Sequence, residues 1–169
     1  MTVPDPETST MSADLERRLA KLEAVEQIRH LKLRYGQLCD AGYPPDELVA
    51  MFTDDAVWDG GETFGSFHGR DEIRRFFVAI NEEVGFAVHY MIGDAIVVDD
   101  DARTARGTWH MFEAANMRVD GVPESMWLAA VYEDDYRREH DGWKFSSVRL
   151  GFRLQAKHSE GWSKRLLQL

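Results

Sequence analysis

The sequence predicts an α+β fold, with N-terminal helices packed on a curved, mostly antiparallel sheet. Three observations carry this. Apolar residues recur at spacings of three and four only in the first half of the chain. Long runs rich in β-branched and aromatic residues fill the second half. Those runs are joined by short turns, Asp120-Gly121 and Asp141-Gly142, which are strong hairpin signals. Helices first and consecutive hairpins second make α+β rather than a wound parallel sheet.

Each element follows in order. Residues 1–12 are rich in Pro, Thr and Ser and read as a flexible tail, leaving a single domain over 13–169. Ser12 is a candidate cap for a long first helix. Its apolar stripe runs Leu15, Leu19, Leu22, Val25, Ile28, Leu31, Tyr35, Leu38, with a break expected near Ala24 and an end at Gly42. Pro45 opens a short second helix. Thr53–Asp55 reads as a turn, Ala56–Trp58 as a short strand ended by Gly60-Gly61. Gly69 leads into a third helix with Ile73, Phe76, Phe77 and Ile80 on one side, stopped at Gly85. Strands are expected over 86–98, 103–118, 122–139 and 143–157, and a last short helix over 159–169.

Composition narrows the function. With 169 residues the chain is one domain large enough to fold on its own core. The formal net charge of −10 repels phosphate backbones, so nucleic acid is not an expected partner. Cys39 is the single cysteine, which excludes an intrachain disulfide and a cysteine-built zinc site. The six histidines show no ligand spacing, so no metal is expected. No run of 18 apolar residues suggests a membrane span, and MTVPDPETST has neither the basic nor the apolar region of a secretory signal. A cytoplasmic protein is expected. The acidic runs Asp99–Asp101 and Glu133–Asp135 read as turn and solvated-face charges.

Around residues 86–92 both strand faces are apolar, with Val88, Tyr90 and Ile92 opposing Ala87, His89 and Met91. Helices cover one face only, so the other calls for a partner subunit. Three segments add a resemblance: IRHLKLRYGQLCD followed by LVAMFTDDAVWDG, then FHGRDEIRRFF, then YEDDYRREHDGWKFSSVRL. Together they resemble the SnoaL-like branch of the cystatin-like (nuclear transport factor 2-like) superfamily of cone-shaped α+β folds. That superfamily includes scytalone dehydratase, bile-acid 7α-dehydratase, hexachlorocyclohexane dehydrochlorinase and ketosteroid isomerase. Within it the chain resembles the bile-acid dehydratase and dehydrochlorinase group at Tyr35-x4-Asp40 and at Val88-His89-Tyr90-x-x-Gly93.

The resemblance implies catalytic roles for His89, Asp40 and Tyr35, with an arginine near the end of the last strand, Arg153 or Arg149. By themselves the residues leave two readings open. His89 is a hydrogen-bonded core histidine or a neutral imidazole suited to proton abstraction near pH 7. Asp40 is a helix-terminal residue or the carboxylate that fixes the His89 tautomer. The second reading gains from its position, since a negative charge at a helix C-terminus opposes the dipole. Tyr35 is a core aromatic or a hydroxyl that polarises a substrate. Arg149 and Arg153 share strand parity with Trp143 and Phe145, and so face a cavity or form a surface pair. Trp58, Phe64, Phe77, Met91, Trp109, Met111 and Trp127 are the expected substrate-binding walls, with Arg149 at their edge.

The resulting expectation is a cofactor-free lyase of dehydratase type, or an isomerase, acting on a small hydrophobic ring compound and assembled as a homo-oligomer, a trimer over a dimer. The alternative is a non-catalytic binding or assembly module of the same fold, such as the small subunit of a ring-hydroxylating oxygenase.

Overall fold

The structure, a computed structural model, describes residues 6–162, with side chains from Met11 onward. Four helices and six strands follow one another: α1 (Pro6–Asp40), α2 (Pro45–Val49), β1 (Phe52–Asp59), α3 (Gly61–Phe64), β2 (Ser66–His68), α4 (Gly69–Glu83), β3 (Val84–Val98), β4 (Thr104–Val119), β5 (Val122–Glu139) and β6 (Gly142–Lys157). The strands form one curved sheet in the order β2-β1-β6-β5-β4-β3. Every pairing is antiparallel except β1 with β6, which is parallel. α1 and α4 cover the inner face, giving the expected α+β cone.

The four-strand meander falls where the Asp-Gly turns place it, with Asp120 and Gly121 both at positive φ. Other boundaries differ. α1 starts at Pro6 instead of Ser12 and runs unbroken past Ala24. Residues 1–5 of the expected tail, and most of the expected last helix, lie outside the described residues. Thr53–Asp55 is not a turn but part of β1, because the segment pairs with β6 through Phe52 and Val57. α3 and β2 have no forecast, being too short to show a period.

At 35 residues, α1 is about 52 Å long, longer than the sheet it crosses. Its C-terminal half buries Ala24, Ile28, Tyr35 and Leu38. The leucines expected at the start of the same stripe, Leu15, Leu19 and Leu22, are exposed, because the helix has overshot the sheet edge there. Ion pairs anchor it along the way: Lys21 with Asp100 (2.7 Å) and Arg29 with Asp94 (2.8 Å). Asp94 is presented by a β-bulge at Gly93, whose φ of 60° suits glycine.

Under α1 sits an aromatic core. Tyr35 makes edge-on contacts with Phe52, Phe77, Tyr132 and Phe145 at ring separations of 5.5–6.3 Å. Beside it is a buried ion pair. Lys32 Nζ lies 2.8 Å from Asp134 Oδ2, and neither side chain reaches solvent. The ammonium also stands 3.4 Å above the centre of the Tyr132 ring. Asp134 accepts a further hydrogen bond from the Tyr136 hydroxyl (2.8 Å), which in turn accepts one from Trp109 Nε1–H (2.9 Å). Asp134 is therefore not a solvated-face charge, as its run suggests; it alternates inward between exposed Glu133 and Asp135. The Asp99–Asp101 run does form a turn, with Asp101 accepting the Arg103 backbone N–H at 3.0 Å.

Candidate active site

One cavity lies between α1, α4 and the inner face of the sheet. Trp58, Phe64, Phe76, Phe77, Leu150 and Phe152 form its apolar wall. Its polar side is built from Tyr35 and Cys39 of α1, Tyr43, His89 of β3, Glu113 of β4 and Tyr132 of β5. The space open to the centres of water-sized molecules is about 40 Å³, room for roughly three waters.

Local chain geometry places each polar group. α1 crosses β3 at Gly36, where a Cβ would stand at ordinary contact distance from Met91 (3.4 Å) and from the His89 Cβ (3.8 Å). One turn later α1 ends at Asp40. Its carboxylate is not spent on the Gly42 turn. Asp40 Oδ1 accepts the His89 backbone N–H at 2.8 Å and stands 2.7 Å from His89 Nδ1. These two donors compensate for a negative charge at the helix C-terminus. With Nδ1 carrying the proton, Nε2 is the nitrogen turned to the cavity. Beyond Asp40 the chain turns sharply through Gly42 and Tyr43, both at positive φ (89° and 54°). That conformation costs a tyrosine on the order of 1–3 kcal/mol. It sets the Tyr43 ring edge-on to the imidazole, 6.2 Å between centres.

Tyr35 faces the cavity, while Asp40 reaches His89 from the end of the helix, so the two need not share one helical face. Trp58 Nε1–H donates to the Tyr35 hydroxyl oxygen at 3.0 Å, which leaves the tyrosine's own proton to donate elsewhere. Burial pushes the Tyr35 hydroxyl well above its usual pKa, and the same cause raises the Cys39 thiol, so Cys39 is no nucleophile at neutral pH.

Of the expected wall residues, Trp58, Phe64 and Phe77 line the cavity. Met91, Trp109 and Met111 point to the inner face but fill the core: Met91 lies beneath Gly36 and Trp109 is tied to Tyr136. Three expectations are overturned. Trp127 is on the outer face, stacked on Phe112 at 5.5 Å, because its neighbour Leu128 takes the inward position. Arg149 also points outward, 3.2 Å from Glu133. A bulge explains it: Phe145 pairs with Tyr136 and Ser147 with Asp135, so Ser146 is an extra residue that reverses the parity set by Trp143 and Phe145. Arg153 is itself the extra residue of a second bulge, between Phe152 and Leu154, and borders an outer groove with Val131 and Arg149.

Glu113 was missed. It is buried directly across the ladder from His89, and its Oε2 lies 3.4 Å from His89 Nε2. Burial raises its pKa and the Asp40 charge adds to the rise, while His89 works against both. A signal existed: Trp109, Met111, Glu113 and Ala115 alternate on one face, and a glutamate in that apolar series is out of place. Among the described residues no group of three or more His, Cys, Asp or Glu side chains is arranged to hold a metal ion.

A helix-covered, cone-shaped sheet enclosing an apolar cavity with a carboxylate-oriented histidine defines the class of protein. The chain belongs to the SnoaL-like domain family, whose model matches residues 20–149. Solved structures agree in fold. Hexachlorocyclohexane dehydrochlorinase LinA-type3 from Novosphingobium barchaimii superposes with a TM-score of 0.72 at 22% identity, over 83% of this chain and 93% of that one. A protein assigned as an aromatic ring hydroxylase from Novosphingobium aromaticivorans gives 0.73 at 23%, over 82% and 96%. One assigned as a scytalone dehydratase from the same organism gives 0.70 at 18%, over 82% and 90%. At these identities the likeness establishes the fold. Comparison with curated proteins finds no match by sequence.

Proposed function

We propose that the protein is a cofactor-free lyase that eliminates a small group from a hydrophobic ring compound, with His89 as the base. The observation that carries this is the Asp40–His89 pair. With Asp40 2.7 Å from Nδ1, Nε2 on the cavity side beside Glu113 is the nitrogen that takes the substrate proton, and the carboxylate stabilises the imidazolium formed on proton abstraction. Tyr35, whose hydroxyl oxygen accepts from Trp58 Nε1–H, keeps its own proton to donate to a substrate carbonyl, which acidifies the neighbouring C–H. The aromatic wall suits a flat ring. An isomerase using the same base is a close variant. LinA-type3, a dehydrochlorinase by name, and the scytalone dehydratase assignment support this choice of reaction class.

Phe86, Tyr90 and Ile92 on the outer face are each more than half exposed, which supports a homo-oligomer, a trimer by preference. A cytoplasmic location belongs to the same proposal, supported by the unpaired thiol of Cys39. That outer face also favours a second reading, a non-catalytic assembly module seated on a larger subunit.

Incubating wild type and His89→Gln with a metabolite library, followed by mass spectrometry, tests the lyase. The expected result is a product lighter by one small molecule, formed by wild type alone. Ligands retained but unchanged by both proteins would leave the assembly module standing.

A further inference from the structure

The helix that carries Tyr35 and Asp40 has a second apolar face. Met11, Leu15, Leu19 and Leu22 are each more than half exposed. The overshoot leaves them with no sheet to pack on, and the helical repeat turns them away from it as well. Leu15, Leu19 and Leu22 each stand nine residues before a residue of the core or packed against it: Ala24, Ile28 and Leu31. Nine residues make about two and a half turns, so the two sets lie on opposite sides of α1. From Leu22 through Val25 and Ile28 to Leu31 the apolar spacing is three, and each step falls about 60° short of a full turn. Three such steps carry the stripe half-way round the helix. Met11, Leu15, Leu19 and Leu22 themselves stay within roughly 80° of one another, a narrow seam about 16 Å long. The spacing Leu15-Leu19-Leu22, four then three, is that of a coiled-coil core. Charges of opposite sign border it. Glu16 and Glu23 follow Leu15 and Leu22 on one side, and Arg18 precedes Leu19 on the other. Glu23 is exposed, and Arg18, 69% exposed, has Asp14 only at 4.0 Å. The seam stops at Glu26, the next position of the repeat, which turns to Arg29 (3.3 Å) and His30 (3.6 Å) of its own helix.

We propose that this seam is the docking surface for a second copy of the chain, the two α1 helices lying parallel and in register as a short coiled coil. The charges choose both the occupant and its direction. In a parallel pair Arg18 of each copy stands beside Glu23 of the other, once on either side of the seam. An antiparallel pair sets the glutamate side of one helix against the glutamate side of the other, bringing Glu16 to Glu23 with like charge. A lipid surface is matched by a helix with Lys and Arg beside its apolar face, whereas glutamates hold one whole side of this seam. The two bodies leave the contact free, because each sheet lies on the far side of its own helix. This joint is separate from the outer sheet face of Phe86, Tyr90 and Ile92, and it does not depend on the reaction assigned to the cavity.

Disulfide trapping and light scattering test it together. Leu15→Cys, Leu19→Cys and Leu22→Cys are made singly, with Arg17→Cys, exposed on the opposite side of the helix, as control; the native Cys39 is buried. Core positions of a parallel pair bring each residue to its own counterpart, so mild oxidation should join each of the three to itself at least about 10-fold faster than the control. Leu19→Gln with Leu22→Gln should return half the wild-type mass across a concentration series, whether or not the outer sheet face also associates, with an unchanged circular dichroism spectrum. An unchanged mass, or cross-linking no faster than in Arg17→Cys, overturns the proposal. Wild type that then floats with phosphatidylglycerol vesicles, while the glutamine variant does not, gives the seam to lipid instead. Cross-links that form only when Leu15→Cys is mixed with Leu22→Cys overturn the parallel arrangement, and a fall to one third of the mass overturns the pairing of two copies.

Discussion

Removing one member of the buried Lys32–Asp134 pair should destabilise the fold far more than removing both. In Asp134→Asn the ammonium keeps its place above Tyr132 but loses its counter-charge at 2.8 Å. It can escape by giving up its proton, which from an ordinary lysine value of 10.5 costs (10.5 − 7) × 1.36, about 5 kcal/mol at pH 7. In Lys32→Met the stranded carboxyl escapes by taking a proton, and from 3.8 that costs (7 − 3.8) × 1.36, about 4 kcal/mol. Both figures are ceilings and agree with the roughly 3–5 kcal/mol typical of a broken buried pair. Urea unfolding followed by tryptophan fluorescence reads the loss. With an m of about 2 kcal/mol/M, the midpoint should fall by roughly 1.5–2.5 M in either single variant. Lys32→Met with Asp134→Leu should return to within about 1 kcal/mol of wild type, because an apolar pair of similar volume carries no desolvation penalty. Single losses under about 1 kcal/mol, or a double variant whose loss equals the sum of the two, would refute the reasoning.

Asp40→Asn should lower turnover of any substrate by orders of magnitude, toward the ~10⁴-fold seen when a tautomer-fixing carboxylate is removed, with little change in melting temperature; steady-state kinetics beside thermal melts check both halves. Tyr35→Phe leaves the buried Trp58 N–H without its acceptor, so it should cost about 1–3 kcal/mol of stability in denaturant titrations as well as substrate polarisation. Glu113 has a raised folded pKa, so its stability contribution is full below its ordinary value of 4.5 and is lost as pH rises through the folded value. Glu113→Gln should therefore gain stability relative to wild type between pH 4 and pH 7, and urea midpoints at the two pH values that show the reverse trend would contradict the assignment. Light scattering should return a mass above 19.4 kDa at micromolar concentration, and replacing Tyr90 and Ile92 with lysine should shift it toward the monomer.

What could be read from the sequence was local or inherited. Asp120-Gly121 and Asp141-Gly142 specify hairpins by their own backbone preferences, so the meander was legible. The meeting of Asp40 and His89, 49 residues apart, came from the resemblance, since no local spacing encodes it. Arg149 and Arg153 were misplaced because face parity holds only between bulges, and β6 carries two. Lys32 and Asp134 look like surface charges in isolation; each is buried because the other is opposite it. Glu113 showed as a break in an apolar alternation, but only the β3–β4 register tells which residue it faces.

The parallel pairing of β1 with β6 also sets the order in which the molecule can assemble. Val57 pairs with Ser147, so closing that ladder joins points 90 residues apart, whereas the turns of the meander close loops of a few residues. Loop closure of the first kind carries the larger entropic cost and slows folding. The hairpins of β3–β6 can therefore form first, and β1 with α1 dock onto them late. Trp58 and Tyr35 arrive together in that last step, so the cavity is among the final features to exist. Truncations at Leu128 or Tyr132 should slow folding, while Trp58→Phe should mainly speed unfolding.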